Sequence, residues 1–161
     1  NQFAFIETTE DGTNTGNINL TRYANLRVDT MVGKATQAQY ADLAEKYSAD
    51  ADIEPGTVVC FGGAAEVTTC MQDADTRVAG VVSTDPAYLM NSSADGVAVA
   101  LMGRVPCKVT GSIAKGDIVV SAGNGMARAS SPNPAMGSVI GKALEDHAGG
   151  EGVIEVVVGR M

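Results

Sequence analysis

Hydrophobic and polar positions change period along the chain. Residues 1–34 open with FAFIE, pass through TTEDGTNTGN and continue as INLTRYANLRVDTMVG. The outer pieces alternate partly between apolar and polar side chains, and the middle is a turn-forming cluster of Gly, Asn and Thr. This predicts an extended arm over residues 1–33. Its apolar content is too small to bury a core alone, so it must pack on the downstream domain or on other copies of itself. Phe3, Phe5, Ile18, Leu20, Leu26 and Val28 are therefore oligomer-interface candidates. In residues 36–47, TQAQYADLAEKY, the residues Tyr40, Leu43, Ala44 and Tyr47 fall at i, i+3, i+4 and i+7. That is the spacing of a helix burying one face. Asp42 and Lys46 form an i, i+4 pair on the other side. One short helix with a linker is expected over residues 34–52, and Tyr40, Leu43 and Tyr47 join the interface candidates.

After Pro55-Gly56 the period becomes strand-like. TVVCF, VTTCM, RVAGVVS, GVAVALMGRVPCKV, DIVVSA, SVIGKAL and GVIEVVVGRM are separated by Gly, Asn, Asp, Ser and Pro. Short strands at this spacing predict a mainly β fold, a compact barrel or sandwich over residues 53–161. Pro106 suits an edge or a bend of its long segment. The segment also repeats itself. Ile53-Glu54-Pro55-Gly56-Thr57-Val58-Val59 aligns with Ile113-Ala114-Lys115-Gly116-Asp117-Ile118-Val119, and Val78-Ala79-Gly80-Val81 aligns with Val139-Ile140-Gly141-Lys142. The expectation is a pseudo-duplicated unit, with repeats at about 53–112 and 113–161, whose glycines supply positive φ at turns.

Composition narrows the function. The chain has 161 residues, 45% apolar and 19% charged, enough for one domain or a domain with an arm. Its net charge of -8 repels a phosphate backbone and an anionic membrane face, so neither nucleic acid nor membrane is an expected partner. No apolar run approaches the ~20 residues that cross a bilayer, and no charged-then-apolar leader opens the chain. Beginning at Asn1, it reads as a fragment, a processed product or part of something longer. Cys60, Cys70 and Cys107 are odd in number and lack C-x-x-C spacing, which favours buried free thiols over a disulfide framework or a zinc site.

Candidate chemistry is sparse. His147, the only histidine, lies in the loop-like EDHAGGEG. G-x-S-x-G and H-E-x-x-H are absent from the sequence. GSVIGKA at residues 137–143 is one residue short of a phosphate loop and lacks its Ser or Thr. Asp42, Glu45, Asp50, Asp52 and Glu54, and Asp73 with Asp75, offer oxygens without the calcium-loop pattern and read as a solvated acidic face. Ser83-Thr84-Asp85-Pro86 has the composition of a capped turn. No catalytic residue, metal or cofactor is expected.

Three stretches carry a resemblance: AQYADLAEKYSADADIEPGTVV at 38–59, GVVSTDPAYLMN at 80–91 and GRVPCKVTGSIAKGDIVV at 103–120. Together they resemble the C-terminal domain of tail-fibre-like and other appendage proteins of tailed bacteriophages, particularly phages of cyanobacteria. More distantly, the chain is similar to the Peptidase G2 family, in which a domain with a Gly-Val-Val-Ser-x-x-Pro motif acts as an intramolecular chaperone for fibre trimerisation. Ser83 matches the motif serine. No cleavage segment is recognisable, so no catalytic residue is carried over. The resemblance implies a homotrimeric structural virion protein of a tail or other external appendage, assembled in the host cytoplasm with itself and other phage structural proteins. Two alternatives stand beside it: a self-cleaving chaperone domain, and a tip that binds a receptor or glycan on the host surface, with Tyr23 and Tyr88 as contact candidates.

Overall fold

The computed structural model describes residues 42–159, and every regular element within them is a β-strand. In chain order these are β1 (Asp42–Tyr47), β2 (Val58–Phe61), β3 (Val67–Thr69), β4 (Val78–Val82), β5 (Tyr88–Met90), β6 (Val97–Thr110), β7 (Ile118–Gly123), β8 (Met126–Ala129), β9 (Val139–Ala143) and β10 (Glu151–Val158). The seven apolar runs after Pro55 all form strands, as their alternation predicts. β1, β5 and β8 are additional.

The second half of the chain closes on itself. β10 pairs with β9 and, from Glu151↔Thr110 to Val158↔Gly103, with β6. With the path β9-β7-β8-β6 this completes a five-stranded barrel, which leaves no open sheet edge around its circuit. Val109, Ile113, Val119, Ile140 and Val156 fill it. β6 serves both halves of the fold: its first residues pair with β1 and β4, and its later ones with β10 and β8. On the first side β4 continues to β2 and β3, and a parallel bridge joins Ala49 to Val67. Ile53, Val59, Val67, Val82 and Val99 form a second core there.

Residues 42–47 are not the C-terminal half of a helix. They form β1, held between β5 in parallel and β6 in antiparallel pairing. Asp42 and Ala44 are buried on alternate positions, the period of a strand. Two ladders of interstrand hydrogen bonds outweigh the weak helical propensity of a short run. Residues 36–41 lie outside the described residues.

The cysteines also differ from expectation. Cys60 and Cys70 form a disulfide with Cα atoms 5.1 Å apart, and only Cys107 is a free, buried thiol. The register of β2 against β3, with Cys60 opposite Thr68, brings Cys70 alongside. Burial pushes the Cys107 thiol up to about 12.

Gly56 and Gly116 take φ of 80° and 94° at the turns entering β2 and β7, as the sequence predicts. Gly80 and Gly141 have a different reason. They lie within strands, where a Cβ would collide with the carbonyls of Ala100 and Val157 respectively.

Local hydrogen bonds coincide between the two sides. Gly56 N–H donates to Val82 O and Gly116 N–H to Ala143 O, each at 2.8 Å. Val82 N–H donates to Thr57 O at 2.9 Å and Ala143 N–H to Asp117 O at 3.0 Å. The β2–β4 register shifts between Val59 and Cys60, and the β7–β9 register between Val119 and Val120.

Candidate functional site

Pairing on both sides of β1 assembles one exposed apolar group. Leu43 is in register with Tyr88 of β5 and Met102 of β6. Leu43 is half-buried, whereas Tyr88 is 66% and Met102 61% exposed. The adjoining row is different: Val58, Val81, Ala100 and Ala44, linked in register across β2, β4, β6 and β1, are completely buried. The fold thus brings together Leu43 and Tyr88, candidates for separate reasons in the sequence. Met102 was hidden within a long apolar strand, and only its register shows that it stands at the rim.

A second group lies where β1 ends beside β2. Tyr47 packs edge-on against Phe61, with centroids 5.6 Å apart and rings inclined at 78°. The Tyr47 hydroxyl donates to Glu45 Oε2 at 2.8 Å. Burial, followed by this hydrogen bond and the charges of Glu45 and Glu66, pushes the phenol up to about 12. Ser48 donates from its backbone N–H at 2.8 Å and its Oγ at 2.9 Å to Glu66 Oε2, and these bonds hold the Glu66 carboxyl below its ordinary value. Phe61 remains 45% exposed.

Ser83 is where its motif would put a nucleophile, but it is buried. It lies beside buried Asp42, and neither Ser83 Oγ nor Asp42 Oδ2 has a hydrogen-bond partner of good geometry. Burial raises the Asp42 carboxyl above its ordinary value; Ser83 opposes that rise, and Asp85 adds to it. The main chain fixes this corner, because Ala87 N–H donates to Asp42 O at 3.0 Å.

Among the described residues no group of three or more His, Cys, Asp or Glu is placed to hold a metal. Instead, Arg128 grips Asp73 with 2.6 and 2.7 Å hydrogen bonds, and Arg77 grips Asp75 with 3.0 and 2.7 Å bonds. His147 exchanges backbone hydrogen bonds with Ile113, and its ring lies over Gly152. Phe3, Phe5, Ile18, Leu20, Tyr23, Leu26, Val28 and Tyr40 lie outside the described residues. No family model matches the sequence, and no curated protein matches it.

Proposed function

We propose that the chain is a self-associating structural module, a homotrimeric part of the tail or another external appendage of a tailed bacteriophage. The sequence resemblance supports the phage setting. The observation that carries self-association is the row Tyr88, Leu43 and Met102, where two large apolar side chains stand mostly in solvent on rigid strands. Such a group is costly to leave wet and gains by docking.

A duplicated unit underlies the module in this reading. The supporting observations are the shared hydrogen bonds, the shared register shifts and the cores. Ile53, Val59, Val67, Val82 and Val99 correspond in turn to Ile113, Val119, Ala127, Ala143 and Val156. On this correspondence the units meet within β6, at Met102 and Gly103, so each begins one strand earlier than the sequence alignment alone places it. Fusing two units through one 14-residue strand fixes their relative pose without a linker.

Native mass spectrometry of the full chain tests the proposal: a trimer is expected, and a monomer at micromolar concentration would refute it. Tyr88 also favours the tip reading, because an exposed aromatic ring is a stacking surface for a sugar. Loss of host-cell adsorption in Tyr88→Ala with the native mass unchanged would select that reading.

A further inference from the structure

The junction between the two halves of the fold contains one face that gives and one that receives. The giving face is Val58, Cys60, Cys70, Val81 and Ala100, none more than 1% exposed, all merged into the core of the barrel. The receiving edge is main chain: Gly125 O accepts from Val58 N–H, Gly125 N–H donates to Cys70 O, and Lys108 N–H donates to Gly56 O, each at 2.8 Å. Because the two units correspond, each half has both faces, but only one of each is used inside the chain. Of the second half's own giving face, Lys142 and Val157 are exposed, Ile118 and Ser130 are half-buried and Val120 is buried; on the first half's own receiving edge Ser48 and Phe61 are exposed.

We infer that these two remaining faces join copies of this chain head to tail, the outer face of β9 and β10 in one copy seating on the end of β1 and β2 in the next. The inference rests on the self-association reading and adds a second pair of surfaces beside the row of Tyr88, Leu43 and Met102. On the giving side, Lys142 and Val157 stand where the internal junction has Val81 and Ala100. Val157 is 39% exposed, Lys142 is exposed, and Arg104 lies on the other side of Val157 in register. The contact of Arg104 with Glu155, at 3.6 Å, leaves the guanidinium side chain 62% exposed. On the receiving side, Ser48 and Phe61 correspond to Lys108 and Ser121. The Ser48 N–H is held by Glu66, and Asp50 lies against Gly63 on the same end.

Charge gives the occupant. Where the internal junction has Val81 and Ala44, the remaining giving face has Lys142 and Arg104. Where the used receiving half has Met126 and Thr110, the remaining end has Glu66 and Asp50. The substituted positions have opposite sign on the two faces, with Glu155 flanking Arg104 on the giving face and Arg77 beside Gly62 on the receiving end. The row of Lys142 and Arg104 thus complements Glu66 and Asp50 better than it complements itself, which favours a directional contact. A trimer with cyclic symmetry needs such a contact, because each copy must present two different patches.

Sedimentation of the full chain over a range of concentration and salt tests the seating. The wild-type trimer should weaken as salt rises. Lys142→Glu and Glu66→Lys should each weaken association by about 100-fold, and the double variant, which restores opposite charges across every contact, should recover most of it. Glu66→Gln keeps an acceptor for Ser48 and should show a smaller loss, separating the charge from the local fold; thermal melts confirm that each variant is folded. Single variants without effect, or a double variant no better than the singles, would overturn the seating. A trimer that ignores these changes but is lost in Leu43→Asp would overturn it while leaving self-association intact. A wild-type monomer throughout would overturn both.

Discussion

Reduction of the Cys60–Cys70 disulfide is the most direct perturbation of this fold, because it changes no side-chain volume by substitution and leaves Cys107 as an internal control. The bond closes a loop with a sequence separation of 10. In the chain-entropy treatment, a loop of that length removes about 9 cal/mol/K from the unfolded ensemble, or about 2.7 kcal/mol at 25 °C. Both sulfurs lie in the core shared by the two halves, so the thiols would be retained in an apolar site and the native packing should survive. The assay is urea unfolding of the oxidised chain against the chain held in reductant, read by circular dichroism, alongside thiol titration. The native protein should expose no reactive thiol, since Cys107 is buried and its pKa is pushed up to about 12. Unfolding without reductant should release one thiol, and unfolding with reductant three. The oxidised midpoint should be higher, equivalent to roughly 2–4 kcal/mol. Three thiols from the unfolded, unreduced chain would refute the pairing, and coincident urea curves would refute the stabilisation.

Gly141→Ala should lower stability by more than the ~1 kcal/mol that glycine replacement gains in backbone entropy, because the new methyl meets the Val157 carbonyl; Gly80→Ala should do the same at Ala100, and unchanged melting of either would contradict the close approach. Asp42→Asn should stabilise the chain near pH 7, by an amount on the order of 1 kcal/mol. A carboxyl whose folded pKa is raised contributes stability below its unfolded value and loses it as pH rises through the folded one, so the advantage of the asparagine should shrink on acidification. Urea midpoints at pH 4 and pH 7 check the sign, and a larger advantage at pH 4 would reverse it. Leu43→Asp, beside Tyr88 and Met102, should abolish trimer formation, because docking would bury an unpaired carboxylate; a normal native mass would remove this row from the interface.

What could be read from the sequence was what adjacent residues decide for themselves. Gly56 and Gly116 stand where a turn needs positive φ, and the runs from TVVCF to GVIEVVVGRM alternate as half-buried strands do, so the all-β character was legible. The spacing of Leu43, Ala44 and Tyr47 fits a helix equally well over so short a segment. Only β5 and β6, arriving from 45 to 61 residues away in sequence, settle the strand by supplying partners to both its edges. The same distance effect explains Cys60 and Cys70, whose spacing resembles no motif until the β2–β3 register brings them together.

The candidate surface was still less legible. Leu43 and Tyr88 were candidates on separate grounds, while Met102, Phe61, Glu66 and Lys142 gave no local signal at all. Exposure is decided by which neighbours cover a residue: Val81 of β4 is completely buried, and Lys142 of β9 is exposed. The sequence by itself determined the all-β character after Pro55, the glycine turns and the net negative charge, because these depend on side-chain period, glycine stereochemistry and charge count. Tertiary structure alone decided the closure of the barrel, the disulfide and the faces left open, because each depends on contacts between segments remote in the chain.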